Sequence, residues 1–565
     1  MPKSPLLLKE DYWAIWIGGF ILFFGLLVFF LNQPADLTAR HEMLESQMEA
    51  EQAKAKFKTI GWYEAFDKQK KIKGASEPIG KFLKNLTTKP GSWMNNPLDA
   101  FVKTEEQIEA KKNEITAKYE LAITREKQAK EESAEKQEAY FLDGKRSEVL
   151  ALEVTQAIEN WRSEKETLSR ISKKMNTKAT NKIPWLFGML FLFALLIGIG
   201  ASVMGTPFLN FTKAFSFVFF IGLVSYTLAA QTNMKAIGFG YAAWAIIIGL
   251  LISNTIGTPR WVAPGLTTEF YIKTGLVILG AEILLGKILA IGLPGIFVAW
   301  IVTPVVLVST YWFGQKVLKI SSKTLNMTIS ADMSVCGVSA AVAVAAACKA
   351  SKEELTVAIG LSMVFTSVMM IVMPAFINWV GMPEILGGAW IGGTIDATGA
   401  VVAAGAFLGE KALSVAATIK MIQNVLIGII AFAVAVYFAK NVDKEEGVEV
   451  GWGEIWNRFP KFILGFLGAS VLFSAIYAFL GNNNAYTMID QGVIAAFTKN
   501  IRGWLFCLAF VSIGLSINFK ALRKHFVGGK PFILYMVGQT FNLCLTLLMA
   551  YIMFYLVFPG ATAGI

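Results

Sequence analysis

Ser330-Ala331-Asp332-Met333-Ser334-Val335-Cys336-Gly337-Val338-Ser339 interrupts an otherwise apolar segment, 322–348. A second stretch, Gly392-Gly393-Thr394-Ile395-Asp396-Ala397-Thr398-Gly399, interrupts 384–408 in the same way. Each segment is long enough to cross a bilayer, which takes about 20 residues. Each then continues as an Ala/Val-rich helix. A carboxylate in hydrocarbon is unfavourable and turns toward protein or water. A break in a membrane helix frees backbone N–H and C=O groups, which persist only where protein or a wet cavity satisfies them. The new amino end carries partial positive charge and free donors, suited to an anion. The preceding carboxyl end offers carbonyls, suited to a cation. Two such breaks, each with an Asp, read as a binding centre near the midplane of a transporter.

The surroundings fit a membrane protein. Of the 565 residues, 55% are apolar and only 16% charged, where soluble domains carry about 25% charged residues. After Lys182 the chain reads as consecutive apolar segments, about 13 when the N-terminal run from Trp13 to Leu31 is counted as a retained helix. The fold class expected is an all-α polytopic membrane protein with two broken helices, internal repeats and an α-helical extramembrane insertion. Its expected parts are an N-terminal transmembrane helix (1–31), a charged helical insertion (32–182) and a multi-helix transporter core (183–565).

The insertion holds roughly half of all Lys and Arg, more than half of all Asp and Glu, and no apolar run able to span a membrane. Helices are expected from about Lys103 to Tyr140 and from Arg146 to Met175, as a hairpin or short coiled coil. The second carries an apolar stripe of Leu150, Val154, Trp161, Leu168, Ile171 and Met175. Gly74 to Pro97 reads as loop. The net charge of +11 is read as basic cytoplasmic loops rather than a nucleic-acid surface. Gln315 to Lys323 and Lys520 to His525 are both basic and an even number of segments apart, so both are placed in the cytoplasm. Counting back puts the N-terminus inside and the insertion outside.

Hydroxyls and amides add polar capacity around the breaks. Ser334, Cys336, Gly337, Ser339, Thr394 and Thr398 lie at them, and Lys420, Gln423 and Asn424 lie together in segment 411–438. These nine are the expected substrate-binding residues. Asp332 and Asp396 are the expected coupling-ion residues. Lys420 is read as neutralising an anionic substrate or pairing with either Asp. Simpler readings stand beside these: Lys420 snorkelling to an interface, Glu282 capping a helix end, and Gly/Ala/Ser serving close packing alone. Cys336, Cys348, Cys507 and Cys544 are read as buried small apolar residues. No metal site, catalytic residue or cofactor is expected. The sequence has no P-loop, Gly-x-Ser-x-Gly or His-Glu-x-x-His motif, which argues against an enzyme or an ATP-driven pump.

A segment from Gly249 onward resembles a known family, the YeiH-type sulfate exporters. The residues that carry the likeness are Ser253-Asn254-Thr255-Ile256, Gly275-Leu276-Val277-Ile278-Leu279-Gly280, Ser334-Val335-Cys336-Gly337-Val338-Ser339-Ala340, Val401-Val402-Ala403-Ala404-Gly405 and Lys420-Met421. The resemblance implies a core like those of cation/proton antiporters and bile-acid transporters, with inverted repeats and crossed, broken helices. The chain departs from the family at three positions: Asp396 replaces a frequent His, Ala397 a frequent Glu, and Asp332 a Gly. An added carboxylate and a lost imidazole favour Na⁺ or H⁺ coupling.

The leading expectation is a secondary transporter, an exporter of a small anion such as sulfate or a sulfonate, in the bacterial inner membrane. The alternatives are a Na⁺/H⁺-type exchanger and a non-transporting membrane scaffold or sensor. Expected partners are the anion, H⁺ or Na⁺, membrane lipid, a second copy in a homodimer, and a protein bound through 32–182; nucleic acid is not among them.

Overall fold

The protein is described as a computed structural model covering residues 9–75, 77–144, 147–236, 240–283, 285–438, 460–520 and 529–562. It is an all-α polytopic membrane protein. Among the described residues, nine helices are long and apolar enough to cross a membrane, and shorter apolar helices accompany them. Strand structure among them is limited to Val102–Lys103, paired antiparallel with Thr180–Asn181. Of the second basic link, only Lys520 falls within the described residues. Contacts divide the chain into two compact units.

The larger unit comprises Met1–Phe23, Leu190–Ala475 and Thr498–Ile565. Both expected breaks are present in it. The first separates helix Lys323–Ser334 from helix Val338–Ala347, and the second separates Glu384–Thr394 from Thr398–Leu408. At the first, Val335 leaves helical geometry (φ −115°, ψ −80°) and Gly337 takes φ +62°, a left-handed conformation that a Cβ disfavours. At the second, Ile395 and Ala397 are both extended, with ψ 131°.

Three long helices cradle the breaks. Glu410–Phe438 packs against both halves of the second broken helix and against Val338–Ala347. Lys530–Tyr551 packs on the first half of each broken helix, and Lys352–Trp379 packs on Lys323–Ser334 and Thr398–Leu408. A capping box, Ser351 with Glu354, starts this last helix.

Elsewhere in the same unit, Tyr241–Thr255 and Thr268–Glu282 pack on Lys499–Ser516. The first contact is backbone on backbone. A Cβ on Gly514 would lie 2.6 Å from the Ile246 carbonyl oxygen and 2.9 Å from the Gly249 Cα. Small residues allow such approach in membranes, where close packing rather than the hydrophobic effect holds helices together. Ser253 adds hydrogen bonds to the carbonyls of Gly514 (3.0 Å) and Ile517 (2.6 Å).

The smaller unit comprises Phe24–Met189 and Ile476–Phe497. Its long helices, Glu105–Leu142 and Glu148–Met175, run against each other as a hairpin. Thr104 and Gln107 form a capping box on the first, and the Ser147 hydroxyl caps the second. Of the expected stripe, Val154 and Trp161 are fully buried, in a cluster with Ile60, Ala129, Tyr140 and Ile158. Leu168, Ile171 and Met175 are only half-buried. The Trp161 indole donates to Glu126 at 2.7 Å.

Two expectations need correction. Residues 77–86, read as loop, form helix Glu77–Leu86; Pro78 sits in its first turn, where its missing N–H costs nothing. Cys544, read as buried, is exposed on helix Lys530–Tyr551, a position where a membrane exterior accepts an apolar thiol as readily as a core does.

Arg162 and Lys165 reach Asp67 at 2.6 and 2.8 Å. Burial works to raise the Asp67 carboxyl, but the two cations outweigh it and hold the group below its ordinary value. A carboxyl depressed in the folded state contributes stability above its unfolded value, and that contribution disappears as pH falls through the folded one. Asp67→Asn should therefore speed proteolysis of the hairpin at neutral pH, and the difference from wild type should vanish in acid. A second expectation concerns the helix contact at Gly514. Gly514→Val should cost about 1–3 kcal/mol, read as a lower melting temperature in detergent. Gly468→Ala, with nothing within 4 Å of the added atom, sits inside helix Phe462–Leu480 and should not lower the melting temperature.

Candidate functional site

Breaking a helix leaves carbonyls at the end of its first half. Four side chains from two other helices take them up. From Glu410–Phe438, the Lys420 ammonium donates to the Val335 carbonyl at 2.6 Å and to Gln423 Oε1 at 2.8 Å. Gln423 Nε2 lies 3.0 Å from the Ser334 carbonyl, 3.3 Å from the Gly393 carbonyl and 3.0 Å from Thr303 Oγ1. From Lys530–Tyr551, Gln539 Nε2 donates to the Thr394 carbonyl at 3.0 Å, and Asn542 Nδ2 reaches the Met333 carbonyl at 3.5 Å. Lys420, buried with 1% exposure, thus sits where a helix dipole presents negative charge.

Of the two carboxyl groups, Asp332 lies in the last turn of helix Lys323–Ser334 and Asp396 just beyond the end of Glu384–Thr394. Asp332 and Asp396 are buried. A Cβ on Gly337 would stand 3.3 Å from the Asp396 Cβ and 3.1 Å from Ser362 Oγ. Only glycine lets the first break approach the second this closely. The Tyr535 hydroxyl donates to Asp396 Oδ2, and Ser362 Oγ lies 3.4 Å from the same oxygen. Neither oxygen of Asp332 has a hydrogen-bond partner among the described residues. Neither Asp forms an ion pair with Lys420 among those residues.

The amino ends of the second half-helices open differently. Cys336, Ser339, Thr398 and Asn424 line a cavity of about 590 Å³. The first-turn N–H groups of Val338–Ala347 and Thr398–Leu408 have no partner within their own helices. Asn424 donates to Thr398 Oγ1 at 3.1 Å, and its own buried Oδ1 has no partner among the described residues. Farther out the cavity is lined by Lys9, Glu10, Asp11, Glu269, Lys273 and Lys461. Lys273 pairs there with Glu10 and Asp11 at 3.0 Å each. A smaller cavity of about 190 Å³ reaches Ser362, Thr366 and Ala397 and shares Glu269 as a lining residue.

Of the expected residues, Cys336, Ser339, Thr398 and Asn424 thus face a common cavity. Ser334, Gly337, Thr394, Lys420 and Gln423 form the buried layer with Asp332 and Asp396. The Ser334 hydroxyl is spent on the Ser330 carbonyl at 2.7 Å. Glu282 ends its helix and makes a two-pronged bond to the buried Arg502 at 2.8 and 2.9 Å, which also reaches Glu410 at 3.1 Å. Sequence reasoning missed Ser362, Tyr535, Gln539 and Asn542. Gln539 and Asn542 carried a usable signal, since two amides within an apolar segment are expensive in lipid unless they have a task.

Fold and site together define a multi-pass α-helical membrane protein with a buried polar centre at two facing helix breaks. The family described as Conserved hypothetical protein 698 matches residues 213–535. A UPF0324 membrane protein of Nitratidesulfovibrio vulgaris is 52% identical over 562 residues, covering 100% of this chain and 97% of the relative. A UPF0324 membrane protein of Rhodopirellula baltica is 55% identical over 379 residues, 67% of this chain and 69% of its own. The chain belongs to the UPF0324 family of membrane proteins. No solved structure matches it.

If the cavity is wet to its floor, position 339 is reachable from solvent and position 341 is not, because Ser339 is exposed and Ala341 buried. In a background with all Cys replaced, a membrane-impermeant thiol reagent should label Ser339→Cys at least tenfold faster than Ala341→Cys. Equal rates would mean that no aqueous path reaches the break.

Proposed function

We propose that the protein is a secondary active transporter of the bacterial inner membrane that exports a small anion such as sulfate or a sulfonate, with H⁺ or Na⁺ as coupling ion. The observation that carries this reading is the division of labour at the breaks. Their carbonyl ends are closed off by Lys420, Gln423 and Gln539. Their amino ends border a cavity lined by Cys336, Ser339, Thr398 and Asn424. A helix amino end is a ready anion site, since its donors and dipole both favour negative charge. Resemblance of the motifs around Ser334 and Lys420 to the YeiH-type sulfate exporters supports the choice of substrate class.

Charge counting supports the coupling. Two carboxylates and one ammonium, Asp332, Asp396 and Lys420, sum to one negative charge in a buried site. An unpartnered anion away from water is strongly disfavoured. A proton or a Na⁺ at Asp332 makes the layer neutral. Loading the cation and filling the adjacent anion site then favour one another, because the cation removes the net negative charge that would repel the anion. In this reading Lys420 is a positioning residue: it fixes the carbonyl end of the first break and sets the field in which the anion sits.

Reconstituted protein should move sulfate or a sulfonate, with flux driven by a pH or Na⁺ gradient. Lys420→Met removes a charged hydrogen bond from a buried carbonyl and should slow flux about 10- to 100-fold. Asp332→Asn with Asp396→Asn should leave residual flux that no longer responds to either gradient. Unaltered, gradient-driven flux in a variant carrying all three substitutions would defeat the assignment.

One observation favours a second reading, a cation/proton exchanger: Asp332 has no hydrogen-bond donor among the described residues and is suited to trade a proton for a metal cation. Na⁺-driven pH change in liposomes free of sulfate and sulfonates distinguishes that reading from the first.

A further inference from the structure

A different cavity, of about 790 Å³, runs between helix Val302–Lys316, half-helix Lys323–Ser334 and helix Glu410–Phe438. Its walls change character along their length. From Pro304 to Val308 and from Leu426 to Val434 they are apolar; Gln315, Lys316 and Lys323 gather at one end, beside Tyr311, Trp312 and Tyr437. The rings of Tyr311 and Tyr437 meet edge-on at 6.0 Å. Trp312 is 58% exposed and Val308 62%, so the groove opens outward from the helix bundle.

The pattern matches one leaflet of a bilayer. Pro304 and Lys316 are separated by twelve residues of nearly continuous helix, or about 18 Å at 1.5 Å per residue. The hydrocarbon of one leaflet is about 15 Å deep. Aromatic rings at the polar end lie where membrane proteins collect Trp and Tyr at the interface. Beyond them Lys316 and Lys323 are exposed and in no ion pair among the described residues. Glu354, which meets this turn, is engaged by the hydroxyls of Ser322 and Thr324. The basic end belongs to the link that charge bias places in the cytoplasm, and the anionic lipids that attract such basic groups sit in the cytoplasmic leaflet.

We propose that this groove is a binding site for an anionic phospholipid. One acyl chain lies along Val308, Ile429, Ile430 and Val434, and the phosphodiester sits between the ammonium groups of Lys316 and Lys323 with the Gln315 amide as a further donor. A second copy of the chain fits the groove less well. Two-fold pairing across this face about an axis along the membrane normal would bring the basic ends to the same depth, Lys toward Lys. The inference is independent of what the protein transports.

The test uses full-length protein purified from native membranes and exchanged into phosphatidylglycerol or phosphatidylcholine nanodiscs. The probe is bound phospholipid counted by native mass spectrometry after release, together with the melting temperature. Wild type should retain phosphatidylglycerol at least tenfold better than phosphatidylcholine and melt higher in it. Lys316→Gln with Lys323→Gln should abolish the preference while the protein still folds. Ala433→Phe, which fills the apolar part and keeps both lysines, should lower retention of phosphatidylglycerol as well. Equal retention of the two lipids by wild type, an unchanged preference in the double variant, or dimers cross-linked through Val308→Cys with no lipid released would each overturn the proposal.

Discussion

A peptide carbonyl inside a membrane has no water to turn to, and the centre of this protein is organised around that constraint. Two helices stop halfway, and each stop strands carbonyls that would each cost several kcal/mol if left bare. Lys420, Gln423, Gln539 and Asn542 are spent on them. A charged donor on a helix carboxyl end gains from both the hydrogen bond and the dipole. That gain keeps an ammonium group stable where exposure is only 1%.

With the carbonyl ends closed, the remaining chemistry is asymmetric. Asp396 is supported by Tyr535 and Ser362, whereas Asp332 has no hydrogen-bond partner among the described residues. The amino ends, in contrast, give onto space large enough for a solute. The buried carboxyl groups and the cavity therefore adjoin across the backbone at Cys336 and Gly337.

Much of this was legible in the chain. An Asp flanked by Gly, Ser and Thr within an apolar run reports a helix that cannot continue, and both breaks fall where Asp332 and Asp396 indicated. Lys420 was legible as a buried cation, yet its bond partners were not: a Lys in an apolar helix signals that something answers it, never which carbonyl. Ser362 and Tyr535 carry no local signal, because a hydroxyl in a membrane helix ordinarily bonds its own backbone, as Ser512 does to Leu508. Glu77–Leu86 was hidden by Pro78 and Gly80, whose composition says turn, while Phe82 and Leu83 beside Lys81 and Lys84 give too short a period to read. The four cysteines look identical in sequence; only packing distinguishes Cys544, on the outside, from Cys507 in the core.

The Gln423 amide has a mechanical consequence. One nitrogen touches a carbonyl from each interrupted helix, Ser334 on one and Gly393 on the other. Pulling the two apart would strip an acceptor from that amide and strand a backbone oxygen in a dry interior. Shear between the halves is thereby penalised, and the amide ties both interruptions to the helix bearing Gln423.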